Sequence, residues 1–315
     1  MSLRVRRVSR SLRLAGQALA CGLLLPVAAS AANYTFIVAG LGGEPEYEKR
    51  FREQAAAVAV AAEKISGDAT HVVSLTGDAA RRDAVRREMQ ALAGKVGADD
   101  VVTIVLIGHG TFDGEEYRLN LPGPDLTATE LGQLFDQLPA RNQLIVNATS
   151  ASGAAIERWQ RPQRVIITAT KSGGERTATR FAEHWTHAVT SDAADANKDD
   201  IVTAVEAFDY ASRQVAAAFK SDVSLATEHA RIEGDDAARF VVARLGAAAV
   251  LSANPEVNAL LAQRTEIERD LDQVKARKGA LDENEYYDAL EGVLVRLALL
   301  QREIDAKQPG AGGKP

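Results

Sequence analysis

Val101-Val-Thr-Ile-Val-Leu-Ile107 runs into Gly108-His109-Gly110, and further on Gln143-Leu-Ile-Val146 runs into Asn147-Ala-Thr-Ser-Ala-Ser-Gly153. Both runs are apolar and β-branched without alternation, which suits strands buried on both faces of a parallel sheet. Each ends in a small polar cluster. In an open α/β sheet the functional crevice lies beyond the carboxyl ends of the strands, so His109 and the hydroxyls of Thr149, Ser150 and Ser152 are expected on one rim. A histidine base beside a hydroxyl is the layout of nucleophilic catalysis.

Working outward, three more strand patterns flank this pair: Tyr34 to Ala39, His71 to Leu75 and Arg164 to Thr170. Helical patterns separate them, at about Glu46 to Ile65, Ala79 to Ala93 with Asp78 as cap, Ala128 to Leu138, and a short stretch through Trp159. A further helix is expected from Thr177 to Val189. Thr127 and Glu130 have the spacing of a capping box. Five strands alternating with helices predict a doubly wound, mainly parallel sheet with helices on both faces. The loop Gly40-Leu-Gly-Gly43 follows the first strand but lacks the G-x-G-x-x-G spacing of a dinucleotide site, so it reads as a rim loop. His184 and His187 share a helix face without an acidic partner and read as surface histidines rather than metal ligands.

The first 31 residues combine five arginines, an apolar run interrupted by Gln17 and Pro26, and Ala29-Ser30-Ala31. A basic start, an apolar centre and an A-x-A end predict a signal peptide over 1–31, cleavage before Ala32 and a periplasmic or secreted location. Cys21 is an alternative lipid-attachment point after Ala18-Leu19-Ala20. With cleavage at Ala31, no transmembrane segment is expected to remain. Removing five arginines from 37 basic residues leaves 32 against 43 acidic ones, a balance of −11. That charge excludes nucleic acid as the expected partner. Cleavage also removes Cys21, the single cysteine, leaving no disulfide, thiolate ligand or thiol nucleophile.

Asp195, Asn197 and Asp199 place side-chain oxygens at loop positions one, three and five; Ile201 offers a carbonyl at seven, Thr203 a hydroxyl at nine and Glu206 a carboxylate at twelve. This is the oxygen spacing of an EF-hand-like loop over 195–206 and predicts Ca2+ as a cofactor, with a helix following to about Phe219. Asp200 stands where the turn favours glycine, although aspartate tolerates left-handed backbone better than most residues. An acidic turn that merely caps the helix is the competing reading. The globular pattern is expected to fade from Ala226. Beyond Pro255, Leu260, Ile267, Val274 and Leu281 recur every seven residues, with Leu290, Leu294, Leu297 and Ile304 as a second set. These predict a helical hairpin over 255–306, turning near Gly279, that packs on the main domain or mediates association, followed by a disordered tail at 307–315.

With these residues in view, the segment 32–245 resembles the caspase-type fold of the legumain-like peptidases. The resemblance is carried by Val38-Ala-Gly40 after the first strand, Ile107-Gly-His-Gly110, the helix around Leu131 to Leu138, and Thr149-Ser-Ala-Ser-Gly153, with Thr227-Glu-His-Ala230 as a further similarity. It implies a peptidase in which His109 is the base. The family's Ala-Cys-Glu-Ser-Gly pattern puts Ser150 at the nucleophile position. A thiol can be held as thiolate beside histidine, whereas a serine hydroxyl must lose its proton as it attacks and needs a tight, oriented histidine. The expectation is therefore a non-catalytic module that binds a peptide or protein partner, in which Ser150→Ala changes stability little. The alternative is an active hydrolase using Ser150, or Thr149, with His109.

Overall fold

A computed structural model describes residues 31–235, 237–246 and 255–307. Apart from Ala31 and Lys307, the expected signal peptide, with Cys21, and the expected tail lie outside the described residues.

The five anticipated strands form one sheet: β1 (Asn33–Ala39), β2 (Val72–Thr76), β3 (Val101–Ile107), β7 (Asn142–Asn147) and β8 (Arg164–Thr168). Their order is β8-β7-β3-β1-β2, all parallel, and β10 (Arg231–Glu233) adds an antiparallel edge beside β8. Between β3 and β7 the chain makes a three-stranded antiparallel flap of β4 (Gly110–Phe112), β5 (Tyr117–Leu119) and β6 (Leu126–Thr127). Strand β9 (Ile201–Thr203) pairs antiparallel with β11 (Val241–Arg244).

Strand periodicity sorts the core into two layers. Ile37, Val105, Val146 and Ile167 face one side, where α1 (Pro45–Ser66), α5 (Phe181–Thr190) and α6 (Ala204–Ser221) supply Phe51, Trp185 and Ala207. Phe36, Ile104, Ile145 and Ile166 face the other, against α2 (Arg82–Ala93), α3 (Ala128–Asp136) and α4 (Ile156–Trp159), which supply Met89, Phe135 and Trp159. Trp159 is fully buried, meets Phe135 and Tyr117 edge-on, and donates its indole N–H to the Ala128 carbonyl at 2.8 Å. The fold is thus a mainly parallel, doubly wound α/β sheet with helices on both faces, followed by two C-terminal helices, α7 (Pro255–Ala276) and α8 (Glu283–Ala306), that pack on each other through Val257, Leu260, Leu300 and Ile304.

The Thr127 and Glu130 capping box is present on α3. Three sequence expectations are corrected. Asp78 sits in a short 3-10 turn, and the residue capping α2 is Arg81, with no side-chain cap bond. The chain past Ala226 belongs to the core, with Phe240, Val242 and Ala243 buried beside α6. Leu294 points outward; the buried stripe of α8 is Tyr286, Val293, Leu300 and Ile304. Among the described residues no helix is long and apolar enough to cross a membrane.

Candidate functional site

From β1 the chain winds outward to β2 and then returns to the other side of β1 for β3, β7 and β8, so the winding reverses between β1 and β3. The rim loops after β1, β3 and β7 meet there. The Gly40 N–H donates to the Ile107 carbonyl at 2.8 Å, and the Gly42 N–H donates to Glu48 of α1 at 2.7 Å. A Cβ on Gly42 would lie 2.5 Å from the Glu48 nitrogen, so this loop can press onto the start of α1 only as glycine.

His109 follows β3 directly. Its half-buried ring is packed edge-on against Tyr47 and Phe51, with centroids 4.8 and 5.2 Å away. Burial lowers its pKa below the ordinary histidine value; the Arg50 guanidinium acts the same way, while a hydrogen bond with the Gly42 backbone and the charge of Glu44 oppose it. The imidazole is therefore neutral at pH 7, the state a base requires. Asp113, the nearest acid in sequence, serves elsewhere: it accepts the N–H groups of Glu115 and Glu116 and bonds Arg118, which holds its pKa down to about 2.

Ser150 follows β7 and comes to the same rim, but its hydroxyl is engaged. Oγ donates to the Gly110 carbonyl at 3.1 Å and accepts the Gly110 N–H at 3.2 Å, and the residue is 2% exposed. A hydroxyl has one proton, and here it goes to a backbone oxygen next to His109 rather than to the imidazole. This two-way bond also corrects the expectation that Ser150→Ala is neutral for stability, because it would leave a buried donor and acceptor of Gly110 unpaired, at about 1–3 kcal/mol each. Thr149 is fully buried; its hydroxyl donates to Asn147 Oδ1 at 2.8 Å and meets the Tyr117 hydroxyl at 2.7 Å. Burial pushes the Tyr117 pKa up to about 12, against the pull of Thr149 and Asn147, so the phenol stays protonated. Ser152 is likewise paired, with Thr170.

Sequence reasoning missed the wall of the rim beyond β8. The Ala151 N–H donates to the Glu175 carbonyl at 2.7 Å, with Ala151 itself in left-handed backbone at φ 56°. The Glu175 carboxylate accepts from the Lys171 and His229 N–H groups at 2.9 and 3.1 Å and meets His229 Nδ1 at 2.5 Å. Burial raises the Glu175 pKa, but these hydrogen bonds outweigh it and the net shift is downward. The neighbouring Glu228, 5% exposed, accepts the N–H groups of Arg180 and Phe181, both at 2.8 Å, and so caps α5. The only signal for this wall was the motif Thr227-Glu-His-Ala230.

Burial is the main cause that pushes the Glu228 pKa up to about 7, against its two N–H donors and Arg180. A carboxyl raised from 4.5 in the unfolded chain stabilises the fold fully below pH 4.5, and that stabilisation is lost as pH rises through 7, on the order of 3 kcal/mol in all. Chemical denaturation from pH 4.5 to 8 should therefore resolve a falling contribution in the parent chain that Glu228→Gln lacks. An identical slope in both proteins would refute it.

The acidic loop lies apart from this rim, at the start of α6. Asp195, 3% exposed, accepts the Asp199 and Asp200 N–H groups at 3.2 and 3.0 Å; Asn197 accepts from Asp199 and Asp199 from Ile201. Glu206 closes the loop, with one oxygen accepting from Ala196 and the other from the Thr203 N–H and hydroxyl. Lys198 and Asp200 have φ of 61° and 62°, so Asp200 does adopt the left-handed turn that glycine favours. Among the described residues no three histidine, cysteine or acidic side chains gather closely enough to hold a metal. A cation here would draw equally on Asn197, the Ile201 carbonyl and Thr203, an all-oxygen set suited to a hard ion. His184 and His187 form no such group; His187 Nδ1 meets the Tyr210 hydroxyl at 2.8 Å.

No protein-family model and no curated protein matches the chain. Solved structures do. Protein GSU0716 from Geobacter sulfurreducens is similar at 12% identity and TM-score 0.43, over 65% of this chain and 94% of that one. Caspase-1 from Spodoptera frugiperda is similar at 10% identity and TM-score 0.45, over 65% and 88%. The Drosophila initiator caspase Dronc is similar at 6% identity and TM-score 0.41, over 64% and 79%.

Proposed function

We propose that this chain is an exported, legumain-like member of the caspase-type proteins that has kept the rim but not the chemistry, and that it binds a peptide or protein segment without cleaving it. The observation that carries this reading is the commitment of the Ser150 proton to the Gly110 carbonyl, beside a neutral His109 whose hydrogen bond, among the described residues, is with the Gly42 backbone and not with a carboxylate. The base and the hydroxyl share the rim, but the Ser150 hydroxyl bonds the Gly110 backbone and not the imidazole that would have to take its proton. Export rests on the first 31 residues, and an extracytoplasmic product beginning at Ala32 in N-terminal sequencing is the expected result; a start at Cys21 would indicate lipid attachment instead. Labelling of Ser150 by a serine-directed fluorophosphonate, abolished in His109→Ala, would overturn the non-catalytic reading in favour of a serine hydrolase.

We also propose that the loop 195–206 binds Ca2+ through Asp195, Asn197, Asp199, the Ile201 carbonyl, Thr203 and Glu206. The left-handed Asp200 and the nested N–H bonds of the three leading side chains support this over a plain helix cap. A ligand confined to the folded state stabilises it by about 2.7 kcal/mol at a hundredfold excess over Kd. Calcium added to chelated protein should raise the Tm accordingly. Glu206→Gln should abolish the rise while keeping the α6 cap, because glutamine also serves at that capping-box position. An equal Tm with and without calcium would leave only the cap.

A further inference from the structure

Arg244, the last residue of β11, is half-buried as a residue, yet its Nε and Nη1 reach no solvent and have no hydrogen-bond partner among the described residues. A guanidinium stays charged across the pH range in which proteins fold, so it cannot escape the cost of burial by losing its proton. Water can satisfy such donors but leaves the charge unbalanced. A buried, unpaired charge is strongly unfavourable, and an orphan of this kind calls for an ion that completes the site. We propose that Arg244, together with Arg264 of α7, holds a small oxyanion in the seam between β11 and the C-terminal helices.

Charge decides the class of ligand. Burial is the larger cause that lowers the Arg244 pKa, and the Arg264 guanidinium, close enough to act on it and of like sign, lowers it further. Arg264 is held in place by Glu268 at 2.9 Å and by Gln301 of α8 at 3.3 Å. The nearby carboxylates are engaged elsewhere: Glu268 is bonded to Arg264, and Asp200 lies against Gly246, where an added Cβ would stand 2.9 Å from its Oδ2. Two arginines less one glutamate leave a single positive charge, which one negative charge balances. A guanidinium pairs with two coplanar acceptor oxygens, a geometry that carboxylate and phosphate groups share. This site is separate from the rim. Val241 and Val242 of β11 line a small cavity with Asn33 and Thr103, near the starts of β1 and β3, whereas His109 and Ser150 follow strand ends.

The test is thermal unfolding of the purified full chain, dialysed free of divalent ions, in chloride buffer and with sodium phosphate or sodium acetate added at equal ionic strength. At least one of the two ions should raise the Tm of the parent above its value in chloride, and which one does so tells a phosphate from a carboxylate ligand. Arg244→Met should lack that rise. In chloride alone it should be at least as stable as the parent, because an apolar side chain of similar length removes the unpaired charge. Titration calorimetry gives an independent reading at a partly exposed position: Arg264→Gln should bind the stabilising ion at least about tenfold more weakly. A parent Tm that neither ion raises beyond its effect on Arg244→Met overturns the proposal. So does equal affinity in the parent and Arg264→Gln. An Arg244→Met chain that unfolds earlier than the parent in chloride also overturns it, since the guanidinium would then be satisfied within the chain itself.

Discussion

Gly110→Ala should destabilise the protein by about 3–5 kcal/mol, lowering Tm by about 10 °C in a domain of this size. The added Cβ would stand 2.4 Å from the Ser150 carbonyl oxygen, 2.5 Å from Tyr117 Cε2 and 2.8 Å from Thr149 Oγ1. The first of these is backbone in the turn after β7 and the second is a ring wedged edge-on against Trp159, so neither can swing aside. Relief requires β4 to move away from β7, and that breaks the paired bonds between Ser150 and Gly110. Overpacking alone accounts for about 1–3 kcal/mol, and unpairing buried backbone groups adds a similar amount. Gly279→Ala is the control, since nothing lies within 4 Å of its added methyl. Equal Tm values for the two variants would refute the argument. The glycine after the histidine is therefore explained by packing: it lets the strand leaving β3 touch the turn leaving β7.

That contact also marks how far the sequence could be read. The five parallel strands were legible because each is an uninterrupted apolar run, and a strand buried on both faces has no alternation to conceal it. The position of His109 and Ser150 on one rim followed from the same runs, since both residues begin where a run ends. Strand β10 was not legible: Arg231-Ile-Glu233 is short and charged, as suits an exposed edge. Nor was the direction of the Ser150 hydroxyl. It depends on Gly110 lying within hydrogen-bond distance across 40 residues of chain, which no local pattern encodes. The clasp of Glu175 and His229 spans 54 residues and was hidden for the same reason. The bonds of the loop at 195–206 are local, each reaching a few residues along the chain, so the turn leaves a trace in residue spacing, while its cation is the proposal tested above. Heptad counting failed at Leu294, where α8 carries apolar residues on two sides and a seven-residue repeat cannot say which one faces inward.

Peptide substrates should not be hydrolysed by this chain, and Ser150→Cys should not restore hydrolysis. In a working serine triad the hydroxyl donates to the imidazole, and a carboxylate holds the imidazole in the right tautomer; spoiling that orientation alone lowers kcat about 10⁴-fold. Here both links differ. The Ser150 proton is held by a backbone oxygen, and the ring of His109 is held by the Gly42 backbone and two aromatic edges. Substituting sulfur supplies a more acidic group but not access, because the residue at 150 is 2% exposed and a thiolate formed there would be buried against the Gly110 backbone, with His109 neutral. Burial in such surroundings raises a thiol pKa, so the new cysteine should resist alkylation by iodoacetamide in the native state and react only on unfolding. In the chain lacking its first 31 residues no other cysteine competes, so a single thiol is counted. Rapid native alkylation of Ser150→Cys together with cleavage of a peptide library would show that the rim opens and that His109 can still activate a nucleophile; the chain would then be a peptidase scaffold that had lost only its sulfur.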